Sequence, residues 1–312
     1  MKGTFVSAVK SVLVRIRGVC RKIVLAYRIS SGKICDKKFY DLCSNVIRRF
    51  FHLKPVLSFL EVHLTDHCNM NCSGCAHFCP LADVFFANIE QYDRDMKQLS
   101  RLLSNIRMIQ LIGGEPLLHP NVSMFLDSTR RWFPKANIQL FTNGILLSNM
   151  PKEFWESCRR NSISIHLSLY PPLFIKEADF LRLAKSEGIT LNISKTSTFR
   201  LPTNSKGDSD LEKGFNRCRK WLYVPILKEG KVYPCAKPAY VHYFNREFGT
   251  DIPSTGFVDL YDPKVTGWEV LSRINKIPEA CRYCTYGWEE IPTQAWSKSR
   301  HRQEEWDITN QK

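Results

Sequence analysis

The sequence predicts an α/β fold with a parallel sheet, followed by a smaller cysteine-rich region. Apolar segments with the alternation of strands take turns with amphipathic helical segments between residues 60 and 194, as a parallel sheet with crossover helices requires. Of the 312 residues, 44% are hydrophobic and 12% aromatic, values that are typical of a folded globular protein. This length suits one large α/β domain with a smaller appendage.

Residues 1–55 form a basic leader that carries most of the net charge. It contains thirteen Lys or Arg against Asp36 and Asp41, a net of +11 out of the chain's +15. Its apolar residues recur every three or four positions from Phe5 to Tyr27, which predicts an amphipathic helix. Two interpretations stay open: the helix packs on the main domain, or it lies on an anionic membrane surface. A nucleic-acid partner is disfavoured because the charge is confined to this leader.

Cysteine usage and the amino terminus predict a cytoplasmic protein. Twelve cysteines in a chain without a recognisable signal peptide indicate metal binding rather than disulfides. The apolar run after Met1 is broken by Lys10, Arg15 and Arg17, and no segment reaches the ~20 uninterrupted apolar residues of a membrane span. We therefore expect a cytoplasmic location. If the leader helix lies on an anionic membrane surface, that surface is the inner face of the membrane.

Five strands and three helices are predicted in the first two thirds of the chain. Short runs of branched and apolar residues predict the strands, and apolar residues at helical spacing predict the helices. The strands are predicted at 60–65, 107–112, 137–142, 162–168 and 189–194, and the helices at 88–105, 152–160 and 174–186. Polar or Gly-rich residues follow several strands at their carboxyl ends, where parallel sheets bind their ligands.

Three cysteines lie in the loop that follows the first predicted strand. Cys68, Cys72 and Cys75 have the spacing C-x3-C-x2-C directly after Leu64 and Thr65. Iron–sulfur clusters are held by thiolates and usually take four, so a compact set of three predicts a cluster with one iron left open. An open coordination position is typical of a working site. A structural zinc loop is the alternative at this point.

On this motif, and from about Leu60 to Ser194, the chain resembles the radical S-adenosylmethionine (SAM) enzymes. The resemblance implies a partial (β/α)6 barrel, similar to part of a TIM barrel. It also implies a four-iron four-sulfur cluster on Cys68, Cys72 and Cys75, whose open iron binds SAM. One electron from the cluster cleaves SAM to a 5′-deoxyadenosyl radical in this family, and a flavodoxin or ferredoxin is the kind of partner that supplies it.

The glycine-rich turn after the second strand also matches the family. Gly113, Gly114, Glu115 and Pro116 correspond residue for residue to the turn that binds the amino group of SAM. Glycines let a backbone approach a ligand closely, and a glutamate can accept a hydrogen bond from an ammonium group.

Three other positions are less clear matches to the family. Asn143 in T-N-G and Ser168 at the end of the fourth strand resemble the ribose and carboxylate contacts of SAM, with strand capping as the alternative for both. The residue before the third cysteine is usually aromatic in the family and is Gly74 here. We therefore expect Phe78 or His77 to cover the adenine instead.

Four further cysteines lie in the last third of the chain, at Cys218, Cys235, Cys281 and Cys284. The stretch between the first two predicts two short strands joined by a turn at Glu229-Gly230, which brings their thiols together. Four thiolates fit a four-iron four-sulfur cluster or a tetrahedral zinc equally well by count.

The spacing of these cysteines resembles the start of the SPASM extension, which occurs on radical SAM enzymes that modify peptides and sugars. No cysteine follows Cys284, so the chain is similar to the shorter twitch variant with one auxiliary cluster. The resemblance implies a second four-iron four-sulfur cluster that exchanges electrons with the substrate, and a structural zinc is the alternative. The predicted division is a leader at 1–55, a radical SAM core at 56–200, and an auxiliary-cluster domain with the carboxyl-terminal tail at 201–312.

The resemblance implies an oxidoreductase-type enzyme that abstracts hydrogen from a C–H bond. We expect oxidation or epimerisation of a sugar in a bacterial surface-glycan or related pathway, because enzymes with one such auxiliary cluster include dehydrogenases of amino-sugar alcohols. Maturation of a ribosomally made peptide is the second enzyme hypothesis. A non-catalytic iron–sulfur or zinc-binding partner subunit is the hypothesis from another class.

The catalytic residues are the least determined part of the sequence prediction. Cys79 has two interpretations: a hydrogen-atom donor to a substrate radical, which would make the reaction an epimerisation, or a buried loop thiol. The motifs identify no general base, and His166, Tyr170, Arg200 and Lys237 are strand or loop candidates for that role.

Overall fold

The computed structural model of the chain describes residues 44–221 and 224–309. The amphipathic helix predicted between Phe5 and Tyr27 lies outside these residues. Residues 44–50 are helical. Within the described ranges, no helix combines the length and the apolar composition that a membrane span needs.

The predicted α/β fold with a mainly parallel sheet is confirmed. Five parallel strands follow one another along the chain: β1 (Val56–His63), β2 (Asn105–Ile112), β3 (Asn137–Thr142), β4 (Ser164–Leu169) and β5 (Leu191–Lys195). They lie side by side in the order β5-β4-β3-β2-β1. This is the arrangement of a partial barrel that stays open beyond β5.

The sixth parallel strand of the main sheet comes from the last third of the chain and not from the next segment after β5. That next segment, β6 (Thr198–Arg200), lies outside the main sheet and pairs antiparallel with β10 (Thr293–Ala295). On the other side of the sheet, β7 (Ile226–Lys228) runs parallel to β1, and β8 (Lys231–Tyr233) and β9 (Val258–Asp259) continue the sheet antiparallel. β1 therefore has a neighbour on each side, which fixes the start of the cysteine loop that follows it.

Besides the helical residues 44–50, seven helices accompany these strands in the described part of the chain. They are α1 (Ile89–Leu102), α2 (Val122–Trp132), α3 (Lys152–Arg160), α4 (Glu177–Ser186), α5 (Leu211–Trp221), α6 (Ala236–Phe248) and α7 (Gly267–Ile274). The first four connect consecutive parallel strands. The side chain of Asn88 accepts a hydrogen bond of 2.8 Å from the backbone N–H of Gln91, which caps α1 at the predicted residue.

The helix α5 corrects one part of the sequence prediction. The first half of the stretch between Cys218 and Cys235 was predicted as a strand, but it continues a helix that ends at Trp221. Phe215 and Cys218 lie three residues apart, a spacing that places both on one side of a helix. The predicted hairpin is confirmed further on, because β7 and β8 are joined by Glu229 and Gly230 with φ of 45° and 76°, as a two-residue turn between twisted strands requires.

Side chains of the parallel strands alternate between two faces. One face, with Leu60, Val62 and Leu140 among its residues, is buried against the crossover helices. The opposite face, called the inner face below, carries half-buried and mainly polar side chains. The helix α6 lies against this inner face at the β1 end, where Tyr240 and Phe244 share a smaller core with Ile226.

Candidate active site

The three cysteines of the C-x3-C-x2-C motif lie together in the loop after β1. Cys72 is buried, and Cys68 and Cys75 are half-buried. Burial raises the pKa of the Cys68 and Cys72 thiols to about 12, and the proximity of Cys75 raises both further. The structure therefore brings the predicted set of three thiols together at the carboxyl end of a central strand.

Hydrogen-bond donors point at the sulfurs of this cysteine loop. The indole Nε1 of Trp296 donates to Cys72 Sγ at 3.1 Å. Cys68 Sγ accepts from the backbone N–H of Met70 at 3.4 Å and from Asn143 Nδ2 at 3.6 Å. Donors to sulfur stabilise thiolates and are one of the features that set the potential of an iron–sulfur cluster. This donor set fits the cluster that the motif predicts.

Cys79 lies next to this set. It is 4% exposed, and its thiol donates to the carbonyl of Gly113 at 4.0 Å. The proximity of Cys79 lowers the pKa of Cys75 to about 7, and the proximity of Cys75, together with burial, raises the pKa of Cys79 well above its usual value. Cys79 therefore keeps its hydrogen at neutral pH.

No three His, Cys, Asp or Glu side chains of residues 44–221 and 224–309 converge closely enough to hold a single metal ion. That observation concerns a single ion and does not bear on a four-iron cluster, because each thiolate there binds a different iron.

The carboxyl-terminal segment 293–308 wraps around the cysteine loop. The backbone N–H of Ser73 donates to the carbonyl of Ser297 at 2.9 Å, and that of Ser299 donates to the carbonyl of Asn71 at 2.8 Å. Trp306 Nε1 donates to the carbonyl of Cys75 at 3.0 Å. This segment was predicted as a tail of the auxiliary domain, yet it supports the first cysteine set.

Gly74 lies where this segment approaches the loop most closely. Its φ is +73°, and a Cβ there would lie 2.4 Å from Nε2 of Gln294 and 3.4 Å from Cβ of Phe199. The space that an aromatic side chain would need at this position is therefore occupied by the tail and β6.

The structure corrects the expectation for Phe78. Phe78 is fully buried against Phe244, so it is not available to a ligand. Tyr170 and Phe199 form a stacked pair with ring centroids 5.6 Å apart. Burial, followed by the proximity of the loop cysteines, raises the pKa of Tyr170 above its usual value. This pair is an aromatic surface beside the cysteine loop that sequence reasoning did not identify as such.

The turn from Gly113 to Pro116 packs directly on the first residues of the cysteine loop. The N–H of Gly114 donates to the carbonyl of Thr65 at 2.8 Å, and the N–H of Glu115 donates to the carbonyl of His67 at 3.1 Å. A Cβ on Gly113 would lie 2.3 Å from the backbone oxygen of Thr65, and one on Gly114 would lie 2.0 Å from the backbone oxygen of His67. The two glycines are thus required for contact between turn and loop.

Glu115 ties the ends of β2 and β3 together. Its carboxylate is fully buried and accepts hydrogen bonds from the backbone N–H of Asn143 at 2.8 Å, from Thr142 Oγ1 at 2.8 Å and from the backbone N–H of Leu117 at 3.0 Å. Burial raises its pKa to about 7, although these hydrogen bonds oppose the shift. Pro116, also buried, begins the short 3-10 turn Pro116–Leu118 that follows.

Asn143 and Ser168 differ in their relation to the cysteine loop. Asn143 is 5% exposed, and its Nδ2 donates to Asn69 Oδ1 at 2.8 Å as well as to Cys68 Sγ. Ser168 is half-buried on the inner face and pairs with Ser194 in register. None of the hydrogen bonds found in the described ranges joins it to the loop.

The four carboxyl-terminal cysteines also come together. Cys218 lies on α5, Cys235 caps the amino end of α6, and Cys281 and Cys284 lie at a 3-10 turn. Burial raises the pKa of Cys235 well above its usual value, and the proximity of the other three thiols raises it further. The structure thus assembles all four predicted ligands from three separate elements.

Curated proteins similar in sequence to this chain are GTP 3′,8-cyclases. The enzyme of Microcystis aeruginosa is 31% identical over 128 residues, which cover 38% of this chain and 37% of that protein. The enzyme of Desulforamulus reducens is 26% identical over 151 residues, which cover 46% of this chain and 44% of that protein. The chain therefore matches less than half the length of these relatives. No protein-family profile matches the chain.

The solved structures that match this chain are distant from it. The crystal structure of BtrN in complex with AdoMet and 2-DOIA is 16% identical, with a TM-score of 0.45 over 73% of this chain and 85% of that chain. Streptococcus suis SuiB bound to precursor peptide SuiA is 19% identical, with a TM-score of 0.35 over 50% of this chain and 36% of that chain.

The curated relatives are radical SAM enzymes, and the cysteine motif of this chain lies where that chemistry needs it, after the first strand of a parallel sheet. These findings support a radical SAM superfamily enzyme. The superfamily implies SAM and a four-iron four-sulfur cluster as cofactors. The residues present fit them, because three clustered thiols receive hydrogen bonds at sulfur and the Gly113–Pro116 turn supports their loop.

A buried ammonium group accompanies the second cysteine set of this radical SAM protein. Lys237 is 8% exposed, and its Nζ donates to Thr203 Oγ1 at 2.9 Å. Burial lowers its pKa, whereas the proximity of Cys284 and Cys235 opposes that shift. A buried cation needs compensating negative charge, and the neighbours that favour the charged form of Lys237 include Asp307 as well as these cysteines. Sequence reasoning had placed Lys237 only among loop candidates for a general base.

The other candidates for a general base are already engaged. His166 Nε2 shares a hydrogen bond of 2.9 Å with Ser194 Oγ, and its ring stacks on Phe141. Arg200 Nη1 donates to the hydroxyl of Tyr286 at 3.0 Å. The inner face around His166 is polar, but neither side chain contacts the cysteine loop through a described hydrogen bond.

Proposed function

We propose that this radical SAM enzyme oxidises a hydroxyl-bearing carbon of a sugar. One observation supports this proposal above the others: a four-cysteine set with a buried ammonium group accompanies the three-cysteine SAM site in one chain. Removal of a hydrogen atom from a C–H bond leaves a substrate radical that must lose an electron to give a net oxidation. A second redox centre provides an acceptor for that electron.

Two cofactors would be held by the two cysteine sets. Cys68, Cys72 and Cys75 would bind a four-iron four-sulfur cluster, which supplies the electron for cleavage of SAM when the enzyme is reduced. Cys218, Cys235, Cys281 and Cys284 would bind an auxiliary cluster of the twitch type. The turn at Gly113–Pro116, Asn143 and Ser168 are the residues that we propose for SAM itself.

The inner face of the sheet suits a hydroxyl-rich substrate. A register row crosses four strands through Glu61, Gln110, Gln139 and Ser164, and all four side chains are half-buried. The amide and hydroxyl groups of this row both donate and accept hydrogen bonds and the carboxylate accepts them, as the hydroxyls of a sugar require.

Epimerisation of the same kind of sugar is the second candidate, and Cys79 is the observation that favours it. Its thiol keeps its hydrogen and lies beside Cys75, so it can return a hydrogen atom to a substrate radical. We also propose a flavodoxin or ferredoxin as the electron donor. The proposed location is the cytoplasm, with residues 1–55 in contact with a membrane surface.

The experiment is turnover of anaerobically reconstituted, reduced enzyme with SAM and a panel of free, nucleotide-linked and lipid-linked sugars in D2O. Oxidation predicts a product two hydrogens lighter, together with 5′-deoxyadenosine. Epimerisation predicts an isomer that carries deuterium at the inverted carbon and that disappears in Cys79→Ala. Conversion of a precursor peptide, with every sugar left intact, would overturn the proposal in favour of peptide maturation.

A further inference from the structure

A compact group of polar side chains lies beside the cysteine loop on the inner face, under α6. Its members come from β1, the cysteine loop, β7 and α6: Glu61, His63, Asp66, His77, Lys228, Tyr240 and Tyr243. None of them belongs to the cysteine sets or to the Gly113–Pro116 turn. Some polar atoms of these side chains form hydrogen bonds with one another, and these are called the satisfied half below. The others have no hydrogen-bond partner among the described residues, and these are called the unsatisfied half.

The satisfied half is centred on Asp66. Its carboxylate meets His63 Nδ1 at 3.0 Å, Lys228 Nζ at 2.9 Å and the hydroxyl of Tyr243 at 2.7 Å. Burial opposes ionisation of Asp66, but these hydrogen bonds and the charge of Lys228 outweigh it and hold the pKa of the carboxyl well below its usual range. Asp66 is thus a fixed negative charge that orients the ring of His63.

The unsatisfied half faces away from Asp66. His63 Nε2 and the hydroxyl of Tyr240 are buried and have no hydrogen-bond partner among the described residues. Oε2 of Glu61 lies 3.9 Å from Nε2 of His77, beyond hydrogen-bond distance. The rings of His63 and Tyr240 stack at 4.0 Å, and His77 meets His63 edge-on at 4.8 Å, so these groups form one cluster.

Unpaired polar groups in such a place are costly. A buried polar group without a hydrogen bond destabilises a fold by roughly 1–3 kcal/mol, and a charged one by more. Two such groups, close together and beside the carboxylate of Glu61, indicate a ligand that supplies the missing partners. The side chains of Glu61 and His77 are 14% and 20% exposed, so the cluster opens towards the inner face.

Position and chemistry identify the kind of ligand. Glu61 starts the polar row that continues through Gln110 and Gln139, and His63 ends the strand that leads into the cysteine loop. A ligand with several neighbouring hydroxyls can satisfy a carboxylate, an imidazole and a phenol at once, because each hydroxyl both donates and accepts.

We propose that this cluster is the polyol site of the enzyme and that Glu61 is its proton acceptor. This inference rests on the proposed function. His77 and Tyr240 bind hydroxyls of the substrate, and the carboxylate of Glu61 takes the proton from the hydroxyl on the reacting carbon. The O–H bond breaks, the proton moves to Glu61, and the oxygen keeps the electron pair of that bond.

The surroundings of Glu61 suit this role. Burial raises its pKa to about 7, which is the range in which a general base works best at neutral pH. Burial also lowers the pKa of His63 and raises the pKa of Tyr240 and Tyr243, which moves each of these groups away from its charged form. Glu61 lies on the strand that carries His63 and faces His77 across the opening of the cluster, so its carboxylate is placed to meet a hydroxyl of the ligand.

The test compares Glu61→Gln with wild type and with Glu156→Gln, a control on the exposed side of α3 whose only described ion pair is with exposed Lys152. Product formation from the sugar panel is followed as a function of pH, and binding of the same sugars is measured separately by saturation-transfer NMR. We expect Glu61→Gln to lose at least about 100-fold in product formation, the range of general-base catalysis, and to lose the rise of the wild-type rate through pH 7.

Each outcome separates the two proposals. If wild type turns a sugar over and Glu61→Gln keeps the rate and pH profile of the control, the assignment of Glu61 is wrong. If wild type binds the sugars and Glu61→Gln does not, but neither converts them, the site stands and the proposed oxidation fails. If no sugar binds to wild type, both proposals are overturned.

Discussion

Trp296 is the residue that links the carboxyl-terminal segment most directly to a predicted cluster ligand. Because its indole donates to Cys72 Sγ at 3.1 Å, Trp296→Phe should remove that donor and keep most of the aromatic packing. Loss of a hydrogen bond to sulfur disfavours the more negative, reduced state. We expect the SAM cluster to become harder to reduce, measured by a redox titration followed by EPR.

Trp132→Phe is the matched control for Trp296→Phe. The indole of Trp132, at the end of α2, donates to Asp93 Oδ1 on α1 at 2.9 Å, and neither residue belongs to a cysteine set. An unchanged potential in Trp296→Phe, equal to that of this control, would contradict the role of the carboxyl-terminal segment.

The raised pKa of Glu61 also predicts how the free energy of unfolding depends on pH, which can be measured without a substrate. Its folded pKa of about 7 exceeds the ordinary value of 4.5, so the folded state holds its proton more tightly than the unfolded state. The stabilising contribution is complete below pH 4.5 and is lost as the pH rises through 7. Glu61→Gln should therefore raise the free energy of unfolding by an amount that grows with pH to at most about 3 kcal/mol at pH 8. Urea unfolding of both proteins across this range measures the difference, and a gain that does not depend on pH would contradict it.

Gly114 gives a third prediction. A Cβ at this position would lie 2.0 Å from the backbone oxygen of His67, and backbone cannot give way as a flexible side chain can. Gly114→Ala should displace the turn from the cysteine loop and lower the iron content by the share of one cluster. In Gly188→Ala, nothing lies within 4 Å of the added Cβ although φ is +66°, so this variant tests whether backbone strain from a lost glycine has this effect without the contact to the cysteine loop.

At the residue scale, the sequence predicted which cysteines and glycines lie together, but not the side chains that support them. The cysteines and the Gly113–Pro116 turn follow local spacings, which a single sequence displays. Trp296 is separated from Cys72 by 224 positions and belongs to no motif, so only the folded chain identifies it. The same is true of the cluster around Glu61, whose members come from four elements.

The helix α6 connects the two candidate sites. Its amino end carries Cys235 and Lys237, and its next turns place Tyr240 against His63 on the inner face. One element thus helps to position the auxiliary thiols and the polar cluster, so a displacement of α6 would affect both.

Lys237 on α6 gives the fourth prediction. A buried cation stabilises the added negative charge of a reduced cluster, so Lys237→Met should make the auxiliary cluster harder to reduce and leave the SAM cluster less affected. Lys276→Met, at an exposed position after α7, is the control. If the auxiliary potential were the same in both variants, Lys237 would not compensate that cluster.

At the element scale, periodicity located most strands and helices within a few residues. It was wrong for α5, where Phe215 and Cys218 share one side of a helix, and it did not predict α2. The pairing of β6 with β10 and of β7 with β1 joins segments that are distant in sequence. Such pairings depend on the whole packed chain and leave no local signal.

At the scale of the whole molecule, the carboxyl-terminal third is part of the core site. β7 extends the sheet beside β1, and the segment 293–308 encloses the cysteine loop. Gln294 of this segment and Phe199 of β6 occupy the space that an aromatic side chain at position 74 would need. The predicted division at residues 200 and 201 therefore separates two regions that share one sheet and one site.

The central claim is that one chain holds a SAM cluster and an auxiliary cluster. The direct measurement is iron and sulfide content with Mössbauer spectra on anaerobically reconstituted protein, for wild type and for the Cys68→Ala, Cys72→Ala, Cys75→Ala triple variant. Two four-iron clusters predict about eight irons in wild type and about four in the variant, with cleavage of SAM lost. About four irons in wild type and none in the variant would contradict the claim and leave the carboxyl-terminal cysteines to zinc.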